Sequence, residues 1–123
     1  MKLSRRDFEQ LVANALEDVP KQLRSYMDNV QVVVEDEPSD DLLDEMGVPE
    51  DETLFGLYTG TPLTERSTAY SALPDRIIIF RRPLIEEFDS QSQLRREIAR
   101  TIIHEIAHHF GIGDERLAEL GWD

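Results

Sequence analysis

The chain has 123 residues and a formal net charge of −13, from 26 acidic and 13 basic side chains, and it contains no cysteine. That length fits one domain with a modest core, the missing thiols exclude disulfides and thiolate metal sites, and the acidic balance argues against nucleic acid as a partner. No apolar run is long enough to span a membrane, and the opening Met1–Asp7 starts like a secretory leader without the apolar stretch that should follow, so a cytoplasmic protein with no membrane partner is expected.

Between Ser4 and Glu17 the residues Phe8, Leu11, Val12, Ala15 and Leu16 recur at helical spacing. Ser4 is a suitable N-cap, and Pro20 falls at or just beyond the end. Val30–Glu35 is rich in β-branched residues and predicts a strand. Glu35 to Glu52 holds ten acidic residues and is broken by Pro38, Gly47 and Pro49. It reads as a solvated loop, with a rim that attracts basic peptides as the sharper alternative. It lacks the alternating acidic spacing of a calcium loop.

Thr53 to Thr59, alternating around Leu54, Gly56 and Tyr58, predicts a second strand. Arg76 to Arg81, with Ile77-Ile78-Ile79-Phe80 at its centre, predicts a third and the most buried one. Pro62 and Pro74 bracket a polar connection between them. The loop from Gly60 to Leu73 is expected to form the outer wall of a cleft. Tyr70 within it is a candidate oxyanion donor, against the commoner role of a packing tyrosine. Arg66 and Arg116 are candidates for a substrate carboxylate, against that of solvated charges.

A long helix starts near Ser90 or Ser92 and runs to about Phe110. Leu94, Ile98, Ala99, Ile102, Ile103 and Ile106 form its apolar arc, while Glu97, Thr101, His104 and His108 share another face. All three histidines of the chain lie in the stretch His104-Glu105-Ile106-Ala107-His108-His109-Phe110-Gly111-Ile112-Gly113-Asp114. It contains H-E-x-x-H, which places two imidazoles one turn apart on a helix. His104 and His108 can therefore converge on one zinc ion, since neutral imidazole is an ordinary zinc ligand. Glu105 lies at the border of the apolar arc. Partial desolvation there raises its pKa, and as a general base it can take a proton from a zinc-activated water. Gly111 stops the helix. Asp114, six residues after His108, supplies a third ligand, although it is also placed as the N-cap of a last short helix. His109 lies about 100° around the helix from His108 and points away from the shared face. Trp122 is expected to pack the last helix down.

The pattern H-E-x-x-H-x-x-G-x-x-D resembles the metzincin signature, whose last position is more often His. With the second histidine doubled, in a single small domain that also carries the upstream Pro74-Asp75-Arg76-Ile77-Ile78-Ile79-Phe80-Arg81 strand, the chain is similar to the bacterial minimal zincin-like metallopeptidases. The similarity runs from the first helix to Asp114. It implies His104, His108 and Asp114 as metal ligands and Glu105 as general base. One departure from true metzincins is that no methionine stands among the nine residues after Asp114, so the support their methionine turn gives must come from elsewhere or be absent.

The expected fold is therefore α+β: a zincin-like minimal domain with a sheet of three or four strands, helices packed on one face, and an active-site helix at about 90–110. The expected function is zinc-dependent peptide hydrolysis with one Zn2+, acting on a peptide or a flexible segment of a partner protein. An edge strand of the sheet, either 53–59 or 76–81, would pair with that peptide. The alternative keeps the metal and drops the proteolysis, leaving a regulatory or protein-interaction module with vestigial or partner-restricted activity. Metal-dependent RNA cleavage is disfavoured by the acidic charge.

Overall fold

The computed structural model describes residues 2–49, 52–60 and 74–122. In chain order they form α1 (Arg5–Glu17), α2 (Lys21–Arg24), a 3-10 turn (Ser25–Met27), β1 (Val30–Glu35), α3 (Asp40–Glu45), β2 (Gly56–Thr59), β3 (Asp75–Phe80), α4 (Arg81–Glu87), α5 (Gln91–Phe110) and α6 (Asp114–Glu119). This is an α+β fold whose described strands make one three-stranded sheet of order β1-β3-β2. β1 runs parallel to β3, and β2 runs antiparallel to it. Three strands among the described residues agree with the expected three or four.

The helix ends follow from hydroxyl caps. Ser4 accepts the Asp7 N–H, and Ser90 accepts the Gln93 N–H. Each satisfies a first-turn donor that has no partner inside its helix. At the far end of α1, Arg24 donates to the carbonyls of Leu16, Glu17 and Val19, and Pro20 stands beyond the helix as the N-cap of α2. α5 ends at Gly111, whose φ of 70° is left-handed. Glycine reaches that conformation without the steric cost a Cβ would carry.

The core lies on one face of the sheet. Registers Val32↔Ile77, Val34↔Ile79 and Tyr58↔Ile77 put these side chains on a common side. There they meet Phe8, Leu11, Val12 and Ala15 of α1 and Leu94, Ile98, Ile102 and Ile106 of α5. The predicted apolar arc of α5 is buried throughout. Each such Leu, Ile or Phe contributes about 1.5–3 kcal/mol relative to exposure, so α5 is the element against which the rest assembles.

Two predicted boundaries move. β2 starts at Gly56, not Thr53, with Phe80 N–H donating to the Phe55 carbonyl at its mouth. β3 ends at Phe80, and Arg81 opens a helix the sequence pattern did not predict. That helix is pinned at its start. Arg81 Nε donates to Asp36, its Nη1 donates to the Leu3 carbonyl, and Arg82 N–H donates to the Asp36 carbonyl. Pro83 is tolerated because it falls in the first turn, where its missing N–H would have had no helical partner. The acidic 35–52 segment is not loop throughout: α3 forms within it, capped by Ser39.

Candidate metal centre

α5 carries the motif on the side turned away from the core. Glu97, Arg100, Thr101, His104, Glu105 and His108 line a cavity of about 350 Å³, and Phe55 and Gly56 close it from the sheet. The strand at this wall is β2, the outer neighbour of β3, so of the two candidate edges it is the 53–59 segment that lines the cleft. The ladder alternates from the Phe80 N–H to Phe55 carbonyl bond, which turns the peptide groups of Gly56 away from β3.

Sheet and helix also approach closely at Gly56. A Cβ built there would lie 2.6 Å from Thr101 Cγ2 and 3.1 Å from the Ile78 carbonyl oxygen. Thr101 is fixed, since its hydroxyl donates to the Glu97 carbonyl at 2.8 Å. A glycine inside a strand pattern is the sequence signal for such an approach, and it was present at Gly56.

Glu105 is partly buried. Burial raises its carboxyl above the ordinary value; the neighbouring charge of His108 and a hydrogen bond from the Tyr58 backbone N–H pull it back only in part. His109 points away from the cavity and stacks on Tyr58, with centroids 3.8 Å apart at 15°. Tyr58 in turn donates its hydroxyl to Asp75 at 2.6 Å. The doubled histidine thus holds β2 against α5.

His104 and His108 line the same cavity, but their rings stand 6.3 Å apart at 85°. Two imidazoles on one tetrahedral zinc, with Zn–N about 2.0–2.1 Å, have centroids about 5 Å apart. Asp114 is the first residue of α6, with Gly113 and not Asp114 as N-cap, and it does not line the cavity. Among the described residues no three His, Cys, Asp or Glu side chains are grouped closely enough to hold an ion. The donor chemistry still fits zinc: two imidazoles on one helix face and carboxylates nearby, with no thiol in the chain. Sequence reasoning did not find the partner that His104 has instead. Its Nε2 bonds the Trp122 carbonyl at 3.1 Å.

Arg116 is ion-paired with Glu119 at 2.9 Å on the surface. Arg66 and Tyr70, with the rest of 61–73, lie outside the described residues. Among the described residues no helix is long and apolar enough to cross a membrane.

A sequence model of zincin-like metallopeptidases matches residues 27–122. Among solved structures, a conserved hypothetical protein from T. thermophilus superposes with a TM-score of 0.58 at 24% identity, covering 94% of this chain and 98% of that one; this is a likeness of fold. No curated protein matches the chain.

Proposed function

The chain belongs to the zincin-like metallopeptidase family, and from that premise we propose that it hydrolyses peptide bonds with one zinc ion and Glu105 as general base. The observation that carries this reading is the placement of Glu105. Its carboxyl is raised by burial and stands between His104 and His108 in sequence, on the wall of a cavity that an edge strand completes. A carboxyl tuned upward is a better proton acceptor and donor near neutral pH than an ordinary one.

His104 and His108 would hold the ion, with Asp114 as third ligand, and zinc there supplies the Lewis acidity that lowers the pKa of water and polarises a carbonyl. The remaining work falls to the chain itself. Glu105 takes a proton from the attacking water and returns it to the departing nitrogen. The Tyr58 N–H fixes the carboxylate that does this. An extended peptide pairs with the outward peptide groups of β2 at Gly56, which gives backbone hydrogen bonds and leaves side-chain selection to pockets. A cleft this open suits a short peptide or a flexible segment of a partner protein.

The test is a zinc titration and a peptide-library digest of the parent beside Glu105→Gln, His104→Ala and Asp114→Ala. Expected are near-stoichiometric zinc in the parent and in Glu105→Gln, cleavage in the parent alone, and weak zinc binding in the two ligand variants. Cleavage that survives Glu105→Gln would sink the catalytic assignment. Zinc held without any cleavage would leave a metal-binding interaction module.

A further inference from the structure

The segment after α6 does more than pack. Gly121 takes a left-handed φ of 81°, and its N–H donates to the Ala118 carbonyl. Trp122 N–H then donates to the Leu117 carbonyl at 2.8 Å, which turns the chain back across α5. Arg96 of α5 lies over the Trp122 ring at 4.4 Å and reaches the Gly121 carbonyl at 3.4 Å. The strap so clamped presents one acceptor to the cavity wall, the Trp122 carbonyl, and His104 Nε2 donates to it.

That contact and the placement of the ligands are linked. A carbonyl only accepts, so in this bond Nε2 carries the ring proton and has no lone pair to offer. Nε2 is the ring nitrogen farther from the helix backbone, and His104 lines the cavity. The ring held by the strap stands too far from that of His108 for the two to share a tetrahedral ion. An ion that takes Nε2 must displace the carbonyl, with the neutral ring then carrying its proton on Nδ1.

We propose that the Gly121–Trp122 strap, clamped by Arg96, is a latch that competes with the metal for His104, so that zinc loading and release of the strap are one event. The inference rests on His104 being a zinc ligand, as in the proposed function. It adds that the occupancy of the site is set by the strap as well as by the ligands. Apparent affinity is the intrinsic affinity scaled by the fraction of molecules with the latch open, so weakening the clamp tightens zinc binding.

Trp122 is the only tryptophan of the chain and therefore reports on its own release. The experiment titrates the metal-free protein with zinc, following tryptophan emission and, in parallel, heat by calorimetry. It is repeated on Arg96→Gln, an exposed change that keeps the reporter, and by calorimetry alone on Trp122→Ala. The expected result is a red shift of emission that saturates together with the heat signal, and zinc binding about tenfold tighter in both variants. Zinc that binds with no change in emission overturns the latch. So does unchanged or weaker binding in the variants, which is what a carbonyl that merely orients His104 would give. If neither the parent nor either variant binds zinc, the metal reading of the site fails first and the latch falls with it.

Discussion

In the proposed role of general base Glu105 is under two opposed demands: it would have to be charged to take a proton, and its partial burial disfavours charge. The sign of the resulting pH dependence is fixed. A carboxyl whose folded pKa is raised above its ordinary value of 4.5 favours the protonated fold. Its contribution to stability is full below that ordinary value and is lost as pH rises through the raised one. Glu105→Gln keeps an acceptor for the Tyr58 N–H and removes the charge. The metal-free variant is therefore expected to melt higher than the parent at pH 7.5 and no higher at pH 4, by thermal denaturation in chelator. A variant less stable at both values would mean that the carboxylate is not strained by its burial. At Gly56 the issue is space. Gly56→Ala puts a methyl against Thr101 Cγ2, and such overpacking costs about 1–3 kcal/mol. Thr101→Ser removes the opposing methyl, so the double variant is expected to recover most of that loss. If the two effects simply add in urea denaturation, the contact is not what limits residue 56.

At the scale of elements, what could be read from sequence was what local periodicity and caps determine. α1, β1 and α5 match their predicted spans because each carries its own pattern: a 3.6-residue apolar stripe with a serine cap, or a run of β-branched residues. β2 was read three residues too long because alternation continues through Thr53 to Phe55, while pairing depends on where β3 ends. α4 was missed because its start depends on Arg81 and Arg82 meeting Asp36, 45 and 46 positions away, a contact no local window contains. A comparable long-range link joins the ends of the two main helices. Arg95 of α5 grips Asp18, just past α1, through two hydrogen bonds of 2.7 and 2.8 Å. The Arg95 hydrogen bond holds the Asp18 carboxyl below its ordinary value, reinforced by the charges of Arg95 and Arg24 and opposed by burial. Both side chains remain more than a third exposed, so solvent screens the pair and its contribution is small. A depressed carboxyl contributes its stability above the ordinary pKa and loses it as pH falls through the lowered one. Asp18→Asn is expected to lower Tm slightly at pH 7 and by nothing measurable at pH 2. An equal loss at both values would assign the effect to packing.

At the scale of the molecule, the site was legible as chemistry and not as an arrangement. Spacing put His104 and His108 on one face of a helix with Glu105 at its border, and a cavity that all three line is there. The closing wall at Gly56, the stacking of His109 on Tyr58 and the hold of Trp122 on His104 all join residues far apart in sequence. Apart from the glycine inside the strand pattern at Gly56, no local pattern announces them. The core bears on what metal can do for the whole fold. Phe8, Ile77, Ile79, Leu94, Ile98, Ile102 and Ile106 are fully buried without contribution from the cavity face, so the core is filled by side chains alone, unlike that of a small structural zinc domain. Chelator is therefore expected to leave a cooperative thermal transition in place. Added zinc should raise Tm by linkage alone, about 2.7 kcal/mol of stabilisation when free zinc is 100 times Kd, and that rise should vanish in His104→Ala. A protein that loses its cooperative transition in chelator would carry its metal as a structural element and not as a reagent held on the face of a finished core.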